Sequence, residues 1–99
     1  MLIKKEREEN TLIVKITGRL DSASAPECEA EILPVEEGVD ELILDLERLD
    51  YISSAGLRVL LLAQKEMMTK GEMKVIHVQE TVLDILDITG FTSILTIEE

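Results

Sequence analysis

The 99-residue sequence predicts an α/β fold with strands of mixed direction, in the order β-β-α-β-α-β-α-β. Three observations carry that prediction. Short β-branched apolar runs alternate with segments of helical period. Helix-start and helix-stop residues fall between them at workable spacings. The composition is 45% hydrophobic but only 2% aromatic, so the core is aliphatic and the chain is long enough to bury it. No linker, repeat or low-complexity stretch divides it, and residues 1–99 read as one domain.

The polar run Leu2 to Glu8 is expected to be an edge strand, turned back at Glu9-Asn10. Leu12-Ile13-Val14-Lys15-Ile16 reads as the strand it pairs with, stopped by Gly18. Ser24-Ala25-Pro26-Glu27 is a helix start, with Ser24 as cap, Glu27 closing a capping box and Pro26 in the first turn. Ala25, Cys28 and Ile32 share a face of that helix, and Pro34 limits it to about Leu33. Val39 to Leu46 holds the run Leu42-Ile43-Leu44, suited to a strand buried on both faces. Tyr51-Ile52 extends it or begins the next loop. Ser54 to Lys70 is the best helix, with Leu57, Leu60, Leu61, Gln64 and Met68 on one stripe and a Glu66–Lys70 pair. Met73 to Val78 is a strand. Thr81 to Thr89 is a short helix stopped by Gly90, and Ile94 to Ile97 is the last strand.

Charge excludes several function classes. Twenty-one acidic and ten basic residues give a net charge of -11, which disfavours nucleic-acid backbones and anionic membrane surfaces. Cys28 is alone, so no internal disulfide forms, and with the lone His77 it leaves the usual Cys/His set of a zinc site unfilled. Neither a signal core near the N-terminus nor an apolar run of membrane-spanning length is present, so the expected location is cytoplasmic, without membrane insertion. No cofactor, metal or catalytic constellation can be assembled, and an enzyme is not expected.

The turn Tyr51-Ile52-Ser53-Ser54-Ala55-Gly56-Leu57 joins a buried strand to the best helix. One reading is an N-capping serine followed by a packing glycine. Another is a binding site, because small Ala55 and Gly56 on the first turn would let a second surface approach the backbone. Gly56 costs ~1 kcal/mol in a helix relative to Ala, so its presence calls for a reason. A phosphate loop lacks its Lys or Arg, and a serine nucleophile lacks its elbow and its base.

Residues Tyr51-Ile52-Ser53-Ser54-Ala55-Gly56-Leu57-Arg58-Val59-Leu60-Leu61 resemble the signature of STAS domains, the bacterial anti-sigma factor antagonists. Gly18-Arg19-Leu20-Asp21 and Leu86-Asp87-Ile88-Thr89-Gly90-Phe91 resemble two further motifs of that family, in order and at compatible spacings. The resemblance implies a mixed sheet of about four to five strands with helices mainly on one face. It also implies a partner switch: the antagonist binds an anti-sigma factor that is also a serine kinase, and so frees a sigma factor. The kinase modifies the serine two positions before the motif glycine, here Ser54, and a metal-dependent serine phosphatase reverses the step. Many members carry Asp just before that serine; here it is Ser53, which becomes the lesser candidate acceptor. The implied partner surface comprises Asp21, Ser53, Ser54, Ala55, Gly56 and Arg58. The same resemblance allows an alternative, a scaffold or accessory subunit of a stressosome-like or lipid-transport assembly. The lack of an additional N-terminal module and of a membrane segment weighs against the first of these and against a fused carrier.

Overall fold

Residues 1–98 are described by the structure, a computed structural model. Strands β1 (Leu2–Glu8) and β2 (Thr11–Leu20) precede helix α1 (Ala25–Ile32). Strands β3 (Glu41–Asp45) and β4 (Leu49–Ile52) lead into α2 (Ser54–Met67). Then come β5 (Glu72–Ile76), α3 (Glu80–Ile88), a 3-10 turn at Phe91–Ser93 and the short β6 (Ile97–Glu98). The sheet order is β1-β2-β3-β5-β6, with β4 paired to β2 off that path. Among the described residues only β1 is antiparallel to its neighbour; the remaining pairs are parallel. The architecture is the expected mixed α/β sheet, with six strands rather than four or five.

Register explains the core. Leu12, Leu42 and Met73 align across β2, β3 and β5, as do Val14, Leu44 and Val75. All six are buried, and the three helices bury their apolar residues in the same cluster. Ala25, Cys28 and Ile32 form the inner face of α1 as their spacing predicts. Burial pushes the Cys28 thiol up to about 12, so it packs as a small hydrophobe. On the other face of the sheet Lys74 lies 3.1 Å from Glu41 and 3.7 Å from both Glu72 and Glu98. Its hydrogen bond to Glu41 raises the Lys74 ammonium above its ordinary value and holds the Glu41 carboxyl below its own.

Four expectations are corrected. Gly18 does not stop β2. With φ +104 it forms an irregularity at which the register shifts, and its N–H donates to the Arg48 carbonyl at 2.9 Å. The strand bends there, so its first half pairs with β3 and its second half with β4. Tyr51-Ile52 neither extends β3 nor opens a loop, but completes β4. The last strand begins at Ile97 rather than Ile94, because Phe91–Ser93 forms the 3-10 turn.

The fourth correction concerns the buried stripe of α2. It consists of Gly56, Leu57, Val59, Leu60, Ala63 and Met67, while Met68 is 72% exposed. The buried face runs through small Gly56 and Ala63 to Met67, and Met68, the next residue, lies about 100° round the helix from Met67. A Cβ on Gly56 would lie 2.7 Å from both Leu20 Cγ and Ile52 Cγ1, and 2.8 Å from the Leu20 carbonyl oxygen. The far end of the helix is fixed as well. Glu66 Oε2 accepts the Val35 N–H at 2.7 Å and pairs with Lys70 at 2.9 Å, holding the α1–β3 connection.

Helix propensity and packing make opposite forecasts at Gly56. Propensity alone would have Gly56→Ala gain about 1 kcal/mol, whereas overpacking costs about 1–3 kcal/mol. Because one neighbour is a backbone oxygen, we expect packing to prevail. Urea unfolding should show a lower midpoint at unchanged m-value; an unchanged or raised midpoint would refute the contact.

Candidate functional site

The site forms where β2 and β4 end side by side. Leu20 aligns with Ile52, so Asp21 and Ser53 leave adjacent strands as neighbouring turn residues. The Ser53 N–H donates to the Leu20 carbonyl at 2.9 Å, which closes the pairing. Ser53 is extended, with φ -100 and ψ 178, and is the N-cap of α2. Its carbonyl accepts the Leu57 N–H at 2.9 Å, and its Oγ accepts the Gly56 N–H at 3.4 Å. That is capping chemistry, satisfying a donor that the first turn leaves free.

Ser54 is the first residue of the helix proper. It is exposed, and its hydroxyl has no hydrogen-bond partner among the described residues. Consecutive serines therefore differ in availability: Ser53 is half-buried and engaged, whereas Ser54 is open.

On the other turn, Asp21 Oδ1 accepts the N–H groups of Ala23 and Ser24, each at 3.1 Å. The Ser24 hydroxyl donates back to the Arg19 carbonyl at 2.8 Å. The expected capping box of Ser24 and Glu27 does not form, because the Ser24 side chain is held by this upstream turn. The Ser24 N–H is the leading cause that holds the Asp21 carboxyl below the ordinary aspartate range. Arg19 lies 3.9 Å from Asp21 Oδ2 and stacks over Tyr51, 4.4 Å from the ring centroid. No sequence signal marks this stacking.

Between α1 and α2 runs a shallow groove floored by Ser22, Ala25, Pro26, Ala30 and Ala55. Arg58 flanks it and reaches across to Glu29 at 2.9 Å. Asp21, Ser53, Ser54, Ala55 and Arg58 therefore share one end of the molecule. Gly56 does not join their surface. It is buried against Leu20 and Ile52, so its small size serves the chain's own packing and not an approaching partner.

The STAS domain profile matches residues 3–99. A Bordetella bronchiseptica protein named "Putative anti-sigma factor antagonist BtrV" is 40% identical over 96 residues, spanning 95% of this chain and 83% of its own. The anti-sigma-B factor antagonist of Bacillus subtilis is 30% identical over 93 residues, spanning 93% of this chain and 85% of its own. Among solved structures, the anti-sigma factor antagonist SpoIIAA in its unphosphorylated form superposes with a TM-score of 0.83 at 20% identity, over 99% of this chain and 89% of that one. Its phosphorylated form gives 0.75 at 19% identity, over 99% and 92%. At these identities the structural matches show a common fold.

The Asp21 turn makes a pH-dependent contribution to stability. The fold favours the carboxylate, so that contribution is present above the ordinary aspartate range and is lost as pH falls through the lowered folded value. A carboxyl-carbon NMR titration should place the Asp21 midpoint below that range. A midpoint at or above it would contradict the hydrogen-bonded turn.

Proposed function

Because the chain belongs to the STAS domain family, we propose that it is a cytoplasmic anti-sigma factor antagonist switched by phosphorylation of Ser54. In its unmodified form it binds an anti-sigma factor that is also a serine kinase, and a sigma factor is released. Transfer of the γ-phosphoryl group of ATP to Ser54 Oγ ends that binding, and a metal-dependent serine phosphatase restores it. The chain acts as substrate and ligand, with no catalytic role. Among the described residues no helix is long and apolar enough to cross a membrane.

One observation carries the assignment to Ser54: its hydroxyl is exposed and unpartnered, while that of Ser53 caps the helix. The surroundings support the same reading. A phosphate adds about -1.5 to -2 charges at neutral pH. The N–H groups of Ser54 and Ala55 have no acceptor among the described residues, so the head of α2 would hold the anion in place without refolding. The docking surface would comprise Asp21, Ser53, Ala55, Arg58 and the groove beside them. A partner seated there would trap the phosphate away from water, and an unpaired buried charge opposes association by several kcal/mol. Release then needs no large rearrangement. SpoIIAA, which shares the fold, has been solved in both phosphorylated and unphosphorylated forms.

Incubation with the anti-sigma factor kinase and ATP, read by intact mass, tests the assignment. Wild type and Ser53→Ala should each gain one phosphate, and Ser54→Ala should gain none. Ser53→Ala should also lose about 1 kcal/mol of stability through its missing cap. A phosphate retained in Ser54→Ala and absent from Ser53→Ala would move the switch to Ser53.

A further inference from the structure

Away from that turn, Asp45 is the single charged side chain buried among the described residues, with 9% of its surface exposed. A carboxylate so placed is sustained by hydrogen bonds, by a countercharge or by a metal ion. No lysine or arginine among the described residues supplies one. Lys15, its register partner on β2, turns instead to Glu6 at 3.6 Å, and Arg48 forms no ion pair among the described residues. The one ion-pair partner of Asp45 is His77, with Nδ1 3.1 Å from Oδ1. Glu47 has no ion-pair partner among the described residues. One ligand atom from each of Asp45, Glu47 and His77 lies within 4.8 Å of the other two.

We propose that Asp45, Glu47 and His77 form a binding site for a divalent transition-metal cation, with zinc as its reference ligand. The site lies at the carboxyl ends of β3 and β5, neighbouring parallel strands, where open α/β sheets present ligand-binding groups. The two loops are fastened to each other. The Leu46 N–H donates to the Ile76 carbonyl at 3.0 Å, and Gln79 Nε2 donates to the Glu47 carbonyl at 2.7 Å. Asp45 Oδ1 is further oriented by the Glu47 N–H at 3.1 Å.

The spacing matches a coordination sphere. Two ligands each about 2.1 Å from a metal, and about 90–110° apart, are about 3.0–3.4 Å from one another. The 3.1 Å separation of His77 Nδ1 and Asp45 Oδ1 falls in that interval. A cation entering there would take the Nδ1 lone pair, with the imidazole proton on Nε2, and would replace the hydrogen bond by two metal–ligand bonds. Glu47, exposed and within reach, adds a third, and water completes the shell. One imidazole with two carboxylates favours a borderline ion such as zinc over calcium or magnesium, which prefer oxygen alone.

The test is calorimetric titration of the untagged chain with zinc chloride. His77 is the only histidine, which simplifies assignment. Wild type should bind one equivalent, and Glu47→Gln and His77→Gly should each weaken binding at least about tenfold. His77 has φ +57, a conformation that glycine adopts freely, so His77→Gly removes the ligand without straining the backbone. His77→Gly also takes from Asp45 its ion-pair partner, so its unfolding midpoint without zinc should fall. Glu47→Gln, whose exposed carboxylate has no ion-pair partner among the described residues, should keep the wild-type midpoint and so separates lost binding from lost structure. Absence of binding to wild type would overturn the proposal, as would affinity that survives both substitutions.

Discussion

The rest of the site depends on the close approach of α2 to the paired ends of β2 and β4 at Gly56. Its backbone sits so near Leu20 and Ile52 that a single methyl group would fall 2.7 Å from either side chain. With the first turn seated there, Ser53 is fixed between two hydrogen bonds: its N–H to the Leu20 carbonyl and its carbonyl to the Leu57 N–H. That geometry leaves its hydroxyl over the Gly56 N–H and turns the next hydroxyl, that of Ser54, to solvent. A bulkier residue at position 56 would lift the head of the helix and disturb both serines. The glycine thus determines which serine is presented, although it forms no part of the presented surface.

Around this fixed turn the charges are arranged in local pairs. Arg19 is shared between Asp21 and the face of Tyr51, and Arg58 is held by Glu29. Exposed pairs of this sort contribute little to stability and exchange partners readily. Each guanidinium beside the turn is thereby matched by a carboxylate, so the arrangement is locally balanced within a chain of net charge -11. It is a poor match to the extended cationic track required by nucleic acid.

Much of the fold was legible because periodicity is a local property. Ala25, Cys28 and Ile32 declared their shared face by spacing alone, and Leu42-Ile43-Leu44 declared a buried strand. Other features depended on contacts between distant segments. Gly18 has the same positive φ whether it ends a strand or bends one, and pairing with Arg48 and β4 decides the matter. Strand β4 is four residues long and exists through its pairing with β2. Met68 falls off the buried face because that face includes Gly56 and Ala63, small residues that a stripe drawn from large ones leaves out. At the site, the Ser-Ser pair at a strand–helix boundary was readable as a cap and a neighbour. That Ser53 caps while Ser54 is open depends on the seating of α2. Asp45 and His77, 32 residues apart, carried no sequence signal of their contact.

The central claim is that Ser54 is a local switch on a rigid turn. Amide NMR spectra and hydrogen exchange, recorded with and without stoichiometric phosphate on Ser54, address it most directly. The account predicts shift changes confined to residues 19–24 and 51–58, with exchange in β3 and β5 unaltered. Widespread shifts through β3, β5 and α3, or faster exchange in the central strands, would contradict it and place the switch in a rearrangement of the fold.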